Sequence, residues 1–469
     1  MHKAKFQPEY FLLSLIIFTL PFNWFLKWEN DSAYLRGIQI DYLLPKMYLQ
    51  DILLLCLAIY LLYSYGHRLA FHLKQKVSRL NIARIRHSKA HTFSARLTNL
   101  THGLTNNLAP ILLTSLVLIV GLRTIVTQQT SAYAGFLQLV SATAFAYYLY
   151  KRFSLEQLLK LVWLPLVAAG IMQSTIGIYQ YIFQKSLVGY ALFGEIDLSL
   201  PGAITRESFF GALRVPPYGT LPHPNILAGF LGVTCIVAWL EIQLVRTKNQ
   251  YLTLKHILLG LFLITALLTH SWLAISGILL LFSSTYLPSR FRMSLLFCLY
   301  SIITIAYLLL PKWSHYQSMI ETGNQSIIRR AQLNQAGFSV LHDHFWFGTG
   351  LNQSLKPMHI TYSMLTPADF IQPIHSIHLL WLVETGVIGG TLTGLVVLSL
   401  IKRSLDRHYL VDSTRSTSSQ LHGRLWLIPL LFIAWLGIFD HYIATIRQGQ
   451  LLAALAIALT LSSANKSKK

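Results

Sequence analysis

Acidic side chains are scarce in this chain: 17 Asp and Glu stand against 38 Lys and Arg in 469 residues, and charged residues together make up only 12%. So little charge, beside 54% hydrophobic residues, argues against a soluble domain and for a polytopic membrane protein. Cysteine is nearly absent too. Cys56, Cys235 and Cys298 each lie inside an apolar run, which indicates neither a disulfide framework nor a metal cluster. Ionisable residues are missing from the middles of the apolar runs, Glu384 being the clearest exception. Ion-coupled carriers place acids or bases near the midplane, so a transporter is disfavoured. A small-residue cleavage pattern is also lacking after Lys3, Lys5 and the first run, which therefore reads as a retained helix. The net charge of +21 is not matched by any nucleic-acid-reading motif, and the basic residues fall between apolar runs.

What is present is a succession of apolar runs near 9–27, 49–65, 108–126, 132–150, 157–183, 225–245, 253–270, 271–287, 293–310, 374–402, 424–441 and 446–463. At roughly 20 residues per crossing they predict an all-α polytopic fold of about 12 transmembrane helices in a single membrane domain over 1–469. The segment 66–107 carries Arg68, Lys74, Lys76, Arg79, Arg84, Arg86, Lys89 and Arg96 without an acid, which sets it in the cytoplasm. Counting alternately, the turns at Lys151–Arg152, Arg246 and Lys248, Arg290 and Arg292, and Lys402 to Arg424 are cytoplasmic and basic. Both termini then lie in the cytoplasm as well. The same count places two long segments outside, 184–224 and 311–373, the second between the ninth and tenth helices. Function is expected there, on the outer face.

Three stretches on that face carry candidate chemistry. In IQPIHSIHLLWLVETGVIGG, His375 and His378 stand three apart in the first turn of an apolar helix, at a positive dipole end with unpaired N–H groups that favours an anion. His378 reads as a packing histidine before it reads as a second catalyst. In GALRVPPYGTLPHPNILAGFLG the prolines keep the approach non-helical, Asn225 is the expected N-cap of the next helix, and Arg214 brings a fixed charge toward it, or toward lipid headgroups. In SIIRRAQLNQAGFSVLHDHFWFGTG an amphipathic helix carries Arg329 and Arg330, about 100° apart, so one of them faces a given site. Arg330 is the choice for a diphosphate, which a planar guanidinium meets bidentately; a surface pair is the alternative. His342, Asp343 and His344, and Glu195 with Asp197, supply too few convergent ligands to fix a metal. Asp440–His441 ends another span and is a candidate supporting pair.

RVPPYGTLPHPNILAGFL, SIIRRAQLNQAGFSVLHDHFWFGTG and HSIHLLWLVETGVIGG, in this order, resemble the O-antigen ligase and polymerase family of multi-span bacterial glycosyltransferases, over roughly 205–400, with a weaker echo in FDHYIATIRQGQLL. The resemblance implies a GT-C-like fold in the bacterial inner membrane. It implies a glycan moved from an undecaprenyl-diphosphate carrier to an acceptor hydroxyl on the periplasmic face, by inversion and without metal or other cofactor. By the same resemblance Arg214, Arg330 and His375 are the expected catalytic residues, with Arg329, Asn225, Ser376 and His378 as expected substrate contacts. Two positions depart from the family pattern: Ser376 replaces an Asn after the histidine, and Ser271–Trp272 replaces a Ser–Arg pair, which puts one site arginine in doubt. Lipid, glycan or protein acceptors fit equally, so a ligase, a polymerase and a protein glycosyltransferase remain open, and a lipid-linked-glycan flippase is the rival of another class. Membrane lipids are expected partners, and nucleic acid is not.

Overall fold

Apolar runs too long to be strands and too hydrophobic to face water become helices; each of the twelve carries one, although the run 9–27 is helical only over Pro8–Phe18 and ends in a strand. The structure is a computed structural model that describes residues 7–35, 37–80, 111–199, 204–209, 211–244, 249–287, 289–309, 325–362, 371–412 and 427–463. The helices are α1 (Pro8–Phe18), α2 (Leu49–Leu80), α3 (Ile111–Thr127), α4 (Thr130–Arg152), α5 (Leu155–Phe183), α6 (Pro224–Leu244), α7 (Asn249–Leu268), α8 (Trp272–Ser284) and α9 (Ser289–Leu309). There follow α10 (Gln325–Asp343), α11 (Leu355–Tyr362), α12 (Ile377–Asp412), α13 (Ile428–Phe439) and α14 (Arg447–Ser463). By length and composition the stretches Leu155–Phe183, Pro224–Ile242 and Ile377–Lys402 suffice to cross a membrane. Most of the basic segment 66–107, the Arg246–Lys248 turn, parts of 311–373, the stretch before Arg424 and both charged termini lie outside the described residues.

Lipid tails are as apolar as leucine, so helices in a membrane associate through close packing rather than through apolar burial. The chain follows that rule. Gly170 of α5 lies against Phe262 of α7, and Gly232 of α6 against Phe432 of α13, each at a distance that leaves little room for a side chain. A single core runs through α1, α4, α5, α6, α7, α8, α13 and α14. One buried charge locks its end: Arg447, fully buried at the start of α14, pairs with Asp51 of α2 at 2.7 Å and donates to Gln138 O and Ser141 Oγ of α4. Helix α5 begins with a capping box, in which Ser154 Oγ accepts from Gln157 N and Gln157 Oε1 accepts from Ser154 N.

The segments between helices are not all-α. Strands β1 (Phe25–Lys27), β2 (Tyr34–Leu35), β3 (Ile38–Gln39), β4 (Lys46–Tyr48), β5 (Glu207–Phe209) and β6 (Ala212–Arg214) form three antiparallel pairs, β1 with β4, β2 with β3 and β5 with β6. Four of the six belong to the connection between α1 and α2, which the sequence presents only as a short outer turn.

The expectation of an unbroken helix over 374–402 is corrected. Gly386, at φ +68° and ψ −179°, breaks α12, and the turn Phe345–Gly350 enters the gap. Val387 N and Ile388 N donate to Phe345 O and Trp346 O at 2.8 and 3.3 Å. Val383 O and Glu384 O accept from Thr349 N and Gly350 N, both at 2.9 Å. The two helical hydrogen bonds lost at the break are thus replaced by four to the turn, as backbone at membrane depth requires. A side chain at Gly386 would collide with the backbone of Trp346 and Phe347, so the position is closed to other residues by space as well as by φ. Helix α10 packs Leu333, Ala336 and Val340 onto Ile374, Leu379 and Val383, which holds the segment before α12 against that helix. The segment is also clipped to the α3–α4 turn: Asn352 Nδ2 donates to Ser131 O, Gln353 Nε2 to Ser131 Oγ, and Lys356 Nζ to Gln129 Oε1.

Candidate active site

Four segments far apart in sequence converge where α13 gives way to α14. Asp440 follows the last residue of α13, and its Oδ1 accepts from His441 N at 2.8 Å and Tyr442 N at 3.4 Å, capping the helical turn Tyr442–Thr445. Asn225 Nδ2 lies 3.5 Å from Asp440 Oδ2. His441 Nδ1 is 2.7 Å from Thr445 Oγ1, whose hydroxyl also reaches His441 O at 3.2 Å. With that hydroxyl turned to the carbonyl, its lone pair receives Nδ1–H, and Nε2 is left as the basic nitrogen of His441. The His375 ring meets the His441 ring edge-on, centroids 5.0 Å apart and planes at 85°. Tyr42, from the α1–α2 connection, stands on His441 in the same manner at 5.4 Å.

His375 does not sit in the first turn of α12, as the sequence suggests. Helical pairing begins with Leu380 N donating to Ser376 O, so His375 precedes the helix and is free to turn toward α13. His378 lies inside the helix and takes another direction: its Nε2 is 2.5 Å from Tyr300 Oη of α9. The two histidines therefore do not share a face of one site. Asn225 is likewise not the N-cap of α6. Pro224 occupies the first helical position, where its missing N–H costs nothing, and His223 caps the helix by accepting Ile226 N on its carbonyl and Asn225 N on Nδ1 at 3.1 Å. That bond puts the His223 proton on Nε2, which lies 3.4 Å from Thr205 Oγ1.

Arg330, half-buried on α10, acts electrostatically on His223, His375, Asp440 and His441. It makes no hydrogen bond or ion pair with a described residue. These four groups lie outside the helical spans. Burial lowers the pKa of His375, His223 and His441 below the ordinary histidine value; for His375 the neighbouring His441 and Arg330 push the same way while Asp440 opposes. For Asp440 burial pushes upward, but the cations around it, the histidines when they are protonated and Arg330 at every pH, hold its pKa below the usual carboxylate value. The consistent state near neutral pH is an ionised Asp440, a charged Arg330 and neutral imidazoles. A neutral, basic imidazole beside a fixed cation can take a proton while an anion is held.

The other expected residues are placed as follows. Arg214, opposite Glu207 on the β5–β6 hairpin, lies over the Tyr181 ring at 5.7 Å with Nη1 3.5 Å from Tyr181 O, at the end of α5. Arg329 is half-buried with contacts of its own. Ser376 is fully buried, its hydroxyl without a hydrogen-bond partner among the described residues. Trp272, where the resemblance leads one to look for an arginine, is 71% exposed on α8. The Glu195 carboxylate is taken up by Leu187, Val188 and Gly189 N–H groups and by Gln180 Nε2. His342 and Asp343 pair with each other on the surface at 3.2 Å.

Sequence reasoning missed His223, Tyr42 and Thr445. The first had a signal, a histidine directly before the proline that opens a helix; Tyr42 had none.

Residues 255–394 match the family model described as O-antigen ligase. The match holds Arg330 and His375, and leaves out Arg214, His223 and Asn225 before it and Asp440–His441 after it. No curated protein matches the chain.

Proposed function

We propose that the chain, whose residues 255–394 match the O-antigen ligase family model, transfers a glycan from an undecaprenyl-diphosphate carrier to an acceptor hydroxyl, at the cluster of Arg330, His375, Asp440 and His441 on the outer face of the bacterial inner membrane. The acceptor oxygen attacks the anomeric carbon and its proton passes to the neutral imidazole of His375. The bond from that carbon to the diphosphate oxygen breaks, and the diphosphate leaves with its charge against Arg330. Asp440 stabilises the imidazolium that forms, and Asn225 positions Asp440. One displacement, with no enzyme-bound sugar, inverts the anomeric configuration. Arg214, held at Tyr181, meets the donor farther from the reacting carbon.

The observation that carries this reading is Arg330: a guanidinium close enough to act on a buried cluster of bases and one carboxylate, without a hydrogen bond or ion pair among the described residues. A fixed cation so placed meets charge that develops on a leaving group, without reorganisation at the moment of reaction. The test is reconstitution of the full chain in vesicles with a donor labelled in both glycan and lipid. Transfer predicts that the two labels separate and that the glycan label appears on the acceptor. Movement of both labels together across the bilayer would instead identify a flippase.

A further inference from the structure

On the other side of the break in α12 a second cleft opens between α3 and the inserted turn. Ile119, Arg123, Phe347, Leu351, Glu384 and Thr385 are among the residues that line it. Arg123 is the one charged residue in the described helix α3. Helical phase turns it inward with Ile119 and Val120. Leu118, Leu122, Ile125 and Val126, by contrast, are 59–69% exposed and form the outward face. Arg123 therefore does not extend from the lipid face toward water, as long basic side chains near helix ends commonly do.

The guanidinium is paired with no carboxylate among the described residues. Its Nε is buried without a hydrogen-bond partner, and it forms no ion pair with a described residue. Glu384 lines the same cleft, but its carboxylate is already engaged: Oε1 accepts from Ser354 Oγ at 2.9 Å, and the backbone N–H groups of Asn352 and Ser354 also bond it. Ser354 belongs to the opposite cleft, with Tyr42 and Thr445. A cation in an apolar wall with no partner is costly, and an intramembrane arginine without one marks a place for an anion.

The surroundings say which kind. Phe345, Trp346 and Phe347, at the tip of the inserted turn, are 45%, 62% and 53% exposed, and Phe347 lines the cleft. Ile119, Val120 and Leu351 add apolar lining beside the guanidinium. Arg123 lies four residues before the end of α3, about 6 Å deep at 1.5 Å per residue. That end adjoins Gln129, which holds Lys356, so the cleft is at the same end of the bundle as the candidate active site. We propose that this cleft is a separate lipid site, in which Arg123 holds a phosphate ester and the aromatic tip and α3 hold its long apolar tail. A guanidinium takes phosphate oxygens bidentately, and exposed aromatics are suited to the membrane interface. A glycerophospholipid and a prenyl phosphate share this chemistry.

Native mass spectrometry of the full chain tests it, with dioleoyl phosphatidylglycerol, undecaprenyl phosphate and inorganic phosphate as separate probes. The wild-type protein should retain at least one of the two lipids, and Arg123→Gln should lose at least tenfold of that retention. Preference for one lipid then names the source. Arg123→Lys, which keeps the charge but not the fork, should fall between them. Should Arg123→Gln fail to fold, Trp346→Ala with the arginine intact carries the test, by weakening retention of the tail. Equal lipid retention by the wild type and Arg123→Gln would overturn the site, and so would unchanged retention by Trp346→Ala in that event. Displacement of the lipid by inorganic phosphate at equal concentration would overturn the role of the tail. The proposal is independent of glycan transfer and stands or falls without it.

Discussion

Replacing Asp440 by Asn isolates the charge from the scaffold. An Asn side-chain carbonyl still accepts from His441 N and Tyr442 N, as Oδ1 does at 2.8 and 3.4 Å, so the cap of the Tyr442–Thr445 turn survives. What disappears is the carboxylate charge acting on His375, His441, His223 and Arg330, with the long 3.5 Å contact of Oδ2 to Asn225 Nδ2. A unit charge about 5 Å from a forming imidazolium, at an effective dielectric of about 20, is worth roughly 3 kcal/mol. Each ~1.4 kcal/mol is a factor of about ten in rate, so kcat should fall on the order of 100-fold. The KM for the donor should move little, since Arg330 remains. Steady-state transfer in proteoliposomes, with a thermal melt to show that the variant is folded, reads both quantities. A folded Asp440→Asn protein with kcat within threefold of wild type would refute the role of the carboxylate.

Two further outcomes follow from the geometry. His375, His223 and His441 have lower pKa values folded than unfolded, so the unfolded chain binds more protons as pH falls through the ordinary histidine value of about 6.5. Their contribution to stability is complete above that pH and is lost below it, and Asp440, also lowered, adds to the loss at still lower pH. The melting temperature in detergent should therefore drop between pH 7.5 and 5; a flat or rising profile would contradict neutral buried rings. Gly386→Ala places a Cβ against the Trp346 backbone at a φ of +68°, and should destabilise the protein by about 1–3 kcal/mol or more. A melt unchanged by that substitution would show that the break in α12 is not a fixed feature.

The helices were legible because a long apolar run has few other structures open to it, and each of the twelve runs carries a helix, the first over only Pro8–Phe18. The break in α12 was not, because GVIGG is apolar throughout and the hydrogen bonds that replace the helical ones come from a turn about 40 residues earlier in the chain. The hairpins before α2 escaped for a similar reason: strands of two or three residues carry no readable alternation. Within the site, Arg330 and His375 stood out as residue types at helix entries, and the fold brings them to one cluster while leaving Arg214 at Tyr181 and His378 at Tyr300. The cap of α6 was misassigned to Asn225 although Pro224 marks the first helical position, which makes His223 the cap. Tyr42 reaches His441 across some 400 residues of chain, and nothing local in the sequence announces it.

The central claim is that the His375 imidazole takes the acceptor proton while the donor is held by other groups. A single-turnover measurement on His375→Ala, with donor binding recorded in the same vesicles, tests it most directly. The account predicts donor affinity within about threefold of wild type and a transfer rate lower by at least about 100-fold, the scale of general-base catalysis. Transfer at the wild-type rate by the folded variant would contradict it.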